Sequence, residues 1–134
     1  MRIDVYQHGD EGLWSALGPF LCDRAVHKEL GGPIYSTAGT TWLVARDDAG
    51  QVIGFASLRT QGQALWLDYA YVVPTTRSKG VFARLSAERE RLARDSKLPL
   101  RTVVRQARWE HYHAHGWKIV RKRGSWIYAA KEAP

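Results

Sequence analysis

Apolar and polar positions change period along the chain, and each change marks the boundary of an element. Arg2 to Tyr6 predicts a short first strand. From Asp10 to Leu30 the apolar residues Leu13, Trp14, Leu17, Leu21, Ala25, Val26 and Leu30 recur at roughly helical spacing. Gly18 and Pro19 predict a break that divides this stretch into two helices. The run GGPIYSTAGT that follows, crowded with Gly, Pro, Ser and Thr, predicts a loop.

Three segments rich in β-branched and aromatic residues come next: TTWLVAR, QVIGFASLRT and QALWLDYAYVV. The short polar gaps between them predict an antiparallel meander. A helix is expected from about Gly80 to Ser96, with Val81, Leu85, Glu88 and Leu92 near one stripe and Arg84, Arg91 and Arg94 among its charged remainder. LRTVV predicts another strand after Pro99, and ARWEHYHAH a short helix that Gly116 closes. WKIVRK and SWIYAAK complete a hairpin turned at Arg123 and Gly124. The resulting order, βααβββαβαββ, belongs to the α/β (α+β) class: a mixed, mostly antiparallel sheet flanked by helices. At 134 residues, 1–134 is expected to form a single domain.

Composition adds compartment and charge. One cysteine, Cys22, excludes an intrachain disulfide, and a soluble cytoplasmic protein is expected. The opening MRIDVYQHGDEG lacks the basic segment and apolar run of a signal peptide, and Asp68 interrupts the most apolar stretch, so no membrane association is expected. The net charge of +7 is unevenly spread. Residues 1–73 hold 5 basic and 8 acidic side chains, a charge of −3, whereas 74–134 hold 15 basic and 5 acidic, a charge of +10. Such a half suits an anionic partner, coenzyme or nucleic acid, although a solvated basic surface has the same composition.

The most informative chemistry lies in LDYAYVVPTTRSKGVFARL, where a strand runs through Pro74 and a polar turn into an amphipathic helix. The first amides of a helix have no intrahelical acceptor, and the helix dipole favours an anion beside them. Gly80 allows close approach of backbone to a phosphate, and Arg77 and Lys79 supply charge. There is no G-x-x-x-x-G-K-[ST] and no G-x-G-x-x-G in the chain.

Val72, Pro74, Arg77 and Gly80 form V-x-P-x-x-R-x-x-G, which resembles the acetyl-coenzyme A signature of the GNAT superfamily. EHYHAHGW is similar to the later motif of that family, with Tyr112, Gly116 and Trp117 in register. The resemblance implies the GNAT fold and an N-acetyltransferase that uses acetyl-CoA as co-substrate, with no metal. It implies that the backbone at Val72 and Val73 pairs with the pantetheine arm. The amides of Ser78, Lys79, Gly80, Val81, Phe82 and Ala83 would bind the pyrophosphate, with Arg77, Lys79 and Arg84 near the phosphates. Tyr112 would protonate the leaving thiolate, and direct attack by the amine is expected. Two positions depart from the pattern: Phe82 replaces a usual glycine or alanine, and Arg105 stands about where many members carry asparagine.

Strand alternation places Asp68 on one face with Trp66, Ala70 and Val72, aimed towards the expected acceptor. Burial there would raise its pKa towards that of a general base. A pair with an arginine such as Arg59 or Arg105 is the structural alternative. His111 and His115 share a helix face without a third ligand of recognisable spacing. The expected partner is an amine acceptor, either a small molecule or a protein, with nucleic acid as an alternative because of the basic half. A non-catalytic binding module is a third class, and monomer and homodimer are both open.

Overall fold

The computed structural model describes residues 1–133. Eight strands and four helices follow in the order β1 (Arg2–Gln7), α1 (Leu13–Leu21), α2 (Arg24–Leu30), β2 (Thr40–Arg46), β3 (Val52–Gln61), β4 (Ala64–Leu67), β5 (Ala70–Val72), α3 (Val81–Ser96), β6 (Leu100–Arg105), α4 (Trp109–Ala114), β7 (Lys118–Arg123) and β8 (Trp126–Lys131). The sheet runs β1-β2-β3-β4-β6-β8-β7, with β5 also paired to β3. Among the described residues only β4 and β6 are parallel; the other pairs are antiparallel. This is the α/β class expected, with helices on a mixed sheet.

Side chains on β2 alternate between two cores, one on each face. Leu43 and Ala45 meet Val81, Leu85 and Ala93 of α3, whereas Trp42 and Val44 meet Leu13, Leu17 and Val26 of α1 and α2. Gly54 lets α3 lie close to the sheet, since a β-carbon there would stand 3.2 Å from Val81 and 2.9 Å from the Tyr71 carbonyl.

Four local expectations are corrected. The third meander strand divides into β4 and β5, because β3 pairs Arg59 with Trp66 but Ala56 with Ala70. Two residues of β3 therefore oppose three residues, 67–69, and this bulge reverses the alternation. Leu65 and Leu67 face the α3 core with Ala70 and Val72, while Tyr69 and Tyr71 face the other side. Asp68 thus does not share a face with Ala70 and Val72.

The break between the first helices falls at Asp23, not at Gly18–Pro19. Asp23 Oδ1 accepts from the amides of Ala25 and Val26 and starts α2. Pro19 stays inside α1, where the carbonyl of exposed Ser15 that it leaves without a donor can be hydrated. On α3 the buried stripe is Val81, Leu85, Arg89 and Ala93, and Glu88 instead pairs with Arg91. The last hairpin turns at Gly124–Ser125, one residue later than expected.

Candidate active site

The parallel pairing of β4 with β6 ends at Leu67 and Thr102. Beyond it β5 follows β3 while β6 continues along β8, so the sheet opens between Ala70–Val72 and Val103–Arg105. Thr102 Oγ1 donates to the Leu67 carbonyl at 2.7 Å and fixes the vertex. The Val73 amide bonds Ile53, and the Tyr69 carbonyl accepts from Ser57. By ladder alternation the amide and carbonyl of Val72 then point away from β3, into the opening.

The first turn of α3 lies at the mouth of this opening. Gly80 stands before it at φ +83°, with no side-chain cap and no acidic residue in the first turn. Ser78 also takes a positive φ, 65°. The amides of Val81, Phe82 and Ala83 therefore have no capping acceptor, and they border a cavity of about 230 Å³ lined also by Thr76, Arg77, Ser78 and Arg108. Lys79 and Arg84 are exposed and do not line it. Arg77 is turned towards α2: its Nε donates to the Val72 carbonyl at 2.9 Å, and one Nη reaches both oxygens of Glu29 at 2.7 and 2.8 Å.

A second cavity, of about 60 Å³, lies at the vertex against Leu67, Tyr69, Thr102 and Tyr112. Tyr112 is 6% exposed, and its ring packs edge-on against Trp117 at 5.7 Å. Its hydroxyl makes no hydrogen bond among the described residues and is not sealed off. The helix end holds Tyr112 in place. Trp117 and His115 both donate amides to its carbonyl, at 3.1 and 3.0 Å. Gly116, at φ +91°, donates its amide to the His113 carbonyl, which with the Trp117 bond makes the two-hydrogen-bond terminus of a helix that ends in a left-handed residue.

Asp68 lines this cavity but is held by Arg59, with Nε to Oδ2 at 2.6 Å and Nη to Oδ1 at 3.2 Å. The pair holds the Arg59 guanidinium even further above its ordinary pKa. Tyr69 stacks on Trp42 at 5.6 Å, donates its hydroxyl to the Pro33 carbonyl and accepts the Tyr35 amide, anchoring the loop after α2. Burial raises the Tyr69 pKa. His111 and His115 have ring centres 4.4 Å apart, and His111 is pushed below its ordinary value by burial and then by His115. Among the described residues no group of three or more His, Cys, Asp or Glu side chains could hold a metal.

The fold thus brings Val72, Arg77, Ser78, Gly80, Val81, Phe82 and Ala83 to one cavity and Asp68 and Tyr112 to the other. Cys22 is exposed and lines neither. The residues that sequence reasoning passed over are Arg89 and Arg108, which line the vertex cavity. Arg89 had a legible signal, four residues after Leu85 and therefore on the same face of the helix.

Solved structures share the fold. Escherichia coli ElaA superposes with a TM-score of 0.81 at 13% identity, over 98% of this chain and 100% of its own. The PaiA N-acetyltransferase of Thermoplasma acidophilum, in complex with coenzyme A, gives 0.65 at 16% identity over 98% and 99%. A GNAT family acetyltransferase of Elizabethkingia anophelis with acetyl-CoA bound gives 0.65 at 12% identity over 98% and 97%. A search of curated proteins finds no significant match. The model of the acetyltransferase (GNAT) family matches residues 11–117, and the chain therefore belongs to the GNAT acetyltransferase family.

Proposed function

We propose that the protein, acting as one domain over 1–134, transfers an acetyl group from acetyl-CoA to an amine by direct attack in a ternary complex. The observation that carries this reading is the uncapped start of α3 beside the opening of the sheet. An anion at that cavity would accept from the amides between Ser78 and Ala83, with Lys79 and Arg84 adding charge from the rim. The outward amide of Val72 would donate to a carbonyl of the pantetheine arm as an added strand does, while its carbonyl already accepts from Arg77. The Val73 amide is occupied by Ile53, so Val72 carries this role. The two coenzyme-bound relatives support the choice of co-substrate.

Acetyl-CoA supplies an acyl group on a thiol leaving group. Tyr112 is the acid in this reading: its unpaired hydroxyl would donate a proton to the sulfur as the carbon–sulfur bond breaks, and the proton shed by the attacking nitrogen would return to it through water. Asp68 acts through Arg59 as a brace for the bulge, a positioning role. Calorimetric titration with acetyl-CoA tests the reading and should give saturable one-site binding. Tyr112→Phe should keep that binding and lower turnover about 100-fold or more, in the range of lost general acids. A folded protein that ignores the coenzyme would overturn the proposal.

A further inference from the structure

Charges around the vertex cavity do not balance. Its two carboxylates are already engaged, Glu29 by Arg77 at 2.7 Å and Asp68 by Arg59 at 2.6 Å. Three guanidinium groups also line it. Arg89 is 3% exposed and donates to the Tyr69 carbonyl at 3.1 Å, with no carboxylate within 4 Å among the described residues. Arg105 donates to the Lys28 carbonyl at 2.9 Å and lies over the Trp126 ring at 4.6 Å, but its Nε is sealed from solvent without a partner. Arg108 is 3.9 Å from Glu29, which Arg77 holds more closely.

We infer that the acetyl acceptor is a small amine bearing a carboxylate, and that the carboxylate docks between Arg89 and Arg105. This rests on the acetyltransferase reading above and names its substrate class. A buried cation without a counter-charge is costly, and so is a buried N–H without an acceptor. A cationic or neutral acceptor leaves both costs in place, whereas a carboxylate gives Arg89 a counter-charge and, once the Arg105 side chain turns towards it, gives Nε an acceptor, its planar pair of oxygens matching the guanidinium fork. At about 60 Å³ the cavity has room for a group the size of a carboxylate. The coenzyme's phosphates have their own place at α3. Tyr112 lines the same cavity, so the reacting nitrogen would lie within a few bonds of the carboxylate, as in a short amino acid.

The test is calorimetry on the CoA-loaded protein, using product analogues: N-acetylglycine, N-acetyl-β-alanine and N-acetylglutamate, each beside its carboxamide, together with N-acetyl-O-phosphoethanolamine. At least one acid should bind tenfold or more tightly than its amide, and Arg105→Gln should reduce that preference to threefold or less. The comparison on the parent protein needs no variant to fold. Equal binding of acids and amides, no acid binding to a protein that holds CoA, or a preference for the phosphate ester would each overturn the inference alone. A protein that does not bind CoA overturns the acetyltransferase reading first, and the inference with it.

Discussion

Arg77 ties β5 to α2: one guanidinium donates to the Val72 carbonyl at 2.9 Å and to both oxygens of Glu29 at 2.7 and 2.8 Å. The arginine of the signature, which lines the cavity at the start of α3, is thereby neutralised from α2.

Glu29→Gln should release that charge. Arg77 is partly exposed, so the effect is screened, on the order of 1 kcal/mol. Acetyl-CoA should bind about fivefold more tightly and with a steeper dependence on salt, measured by titration at two ionic strengths. Affinity that does not change would mean that Arg77 stays turned away from the phosphates.

Asp68→Asn should lower stability by roughly 1 to 3 kcal/mol, because Arg59 and Asp68 are about three-quarters buried, at 25% and 22% side-chain exposure. Urea denaturation measures that loss. Turnover per folded molecule should fall less than tenfold if the carboxylate is a brace. A loss of 100-fold or more, with the fold intact, would restore Asp68 as the general base.

A β-carbon at Gly80 would meet no atom within 4 Å, so the first cost of Gly80→Val to folding comes from the backbone at φ +83°, about 1 to 2 kcal/mol. The side chain would instead occupy space that a phosphate needs. Coenzyme affinity should drop at least tenfold while the melting temperature shifts by a few degrees, and unchanged affinity would move the pyrophosphate elsewhere.

His111 is held below its ordinary value of 6.5, first by burial and then by His115. Its unfolded form therefore takes up a proton at a pH where the folded form does not. Its contribution to stability is present above pH 6.5 and is lost as the pH falls from there towards the lower folded value. Stability should thus decline more steeply between pH 7 and 5 in the parent protein than in His111→Gln, as read by denaturation midpoints.

Much of this architecture was legible. The bounds of β2, the start of α3 after Gly80 and the helix end at Gly116 follow from alternation, glycine and capping rules applied locally. The bulge was not, since LWLDYAYVV is apolar on both sides of Asp68 and nothing in it shows that β3 skips a residue. Register belongs to the pair of strands, so one strand cannot disclose it. The start of α2 is signalled by Asp23, a capping residue, whereas Pro19 lies inside α1 and marks no boundary. For the candidate site, the loop that opens α3 is visible in the sequence as a contiguous motif. The vertex cavity draws on α2, β4, β5, β6, α3, α4 and β8; the pairing of Asp68 with Arg59 is one of the alternatives the sequence offers, whereas only folding shows that Arg77 takes Glu29.

The helix end at Tyr112 has a further consequence. Two amides hold its carbonyl, Trp117 packs against its ring, and the residue has lost most of its rotational freedom before any ligand arrives. A side chain ordered at the moment of reaction would add that entropy to the barrier; for Tyr112 in the role of acid proposed above, the loss is incurred during folding and shared with the whole core. Loosening the cap, as a bulky residue at Gly116 would, should therefore slow the reaction through disorder, with the phenol itself left in place.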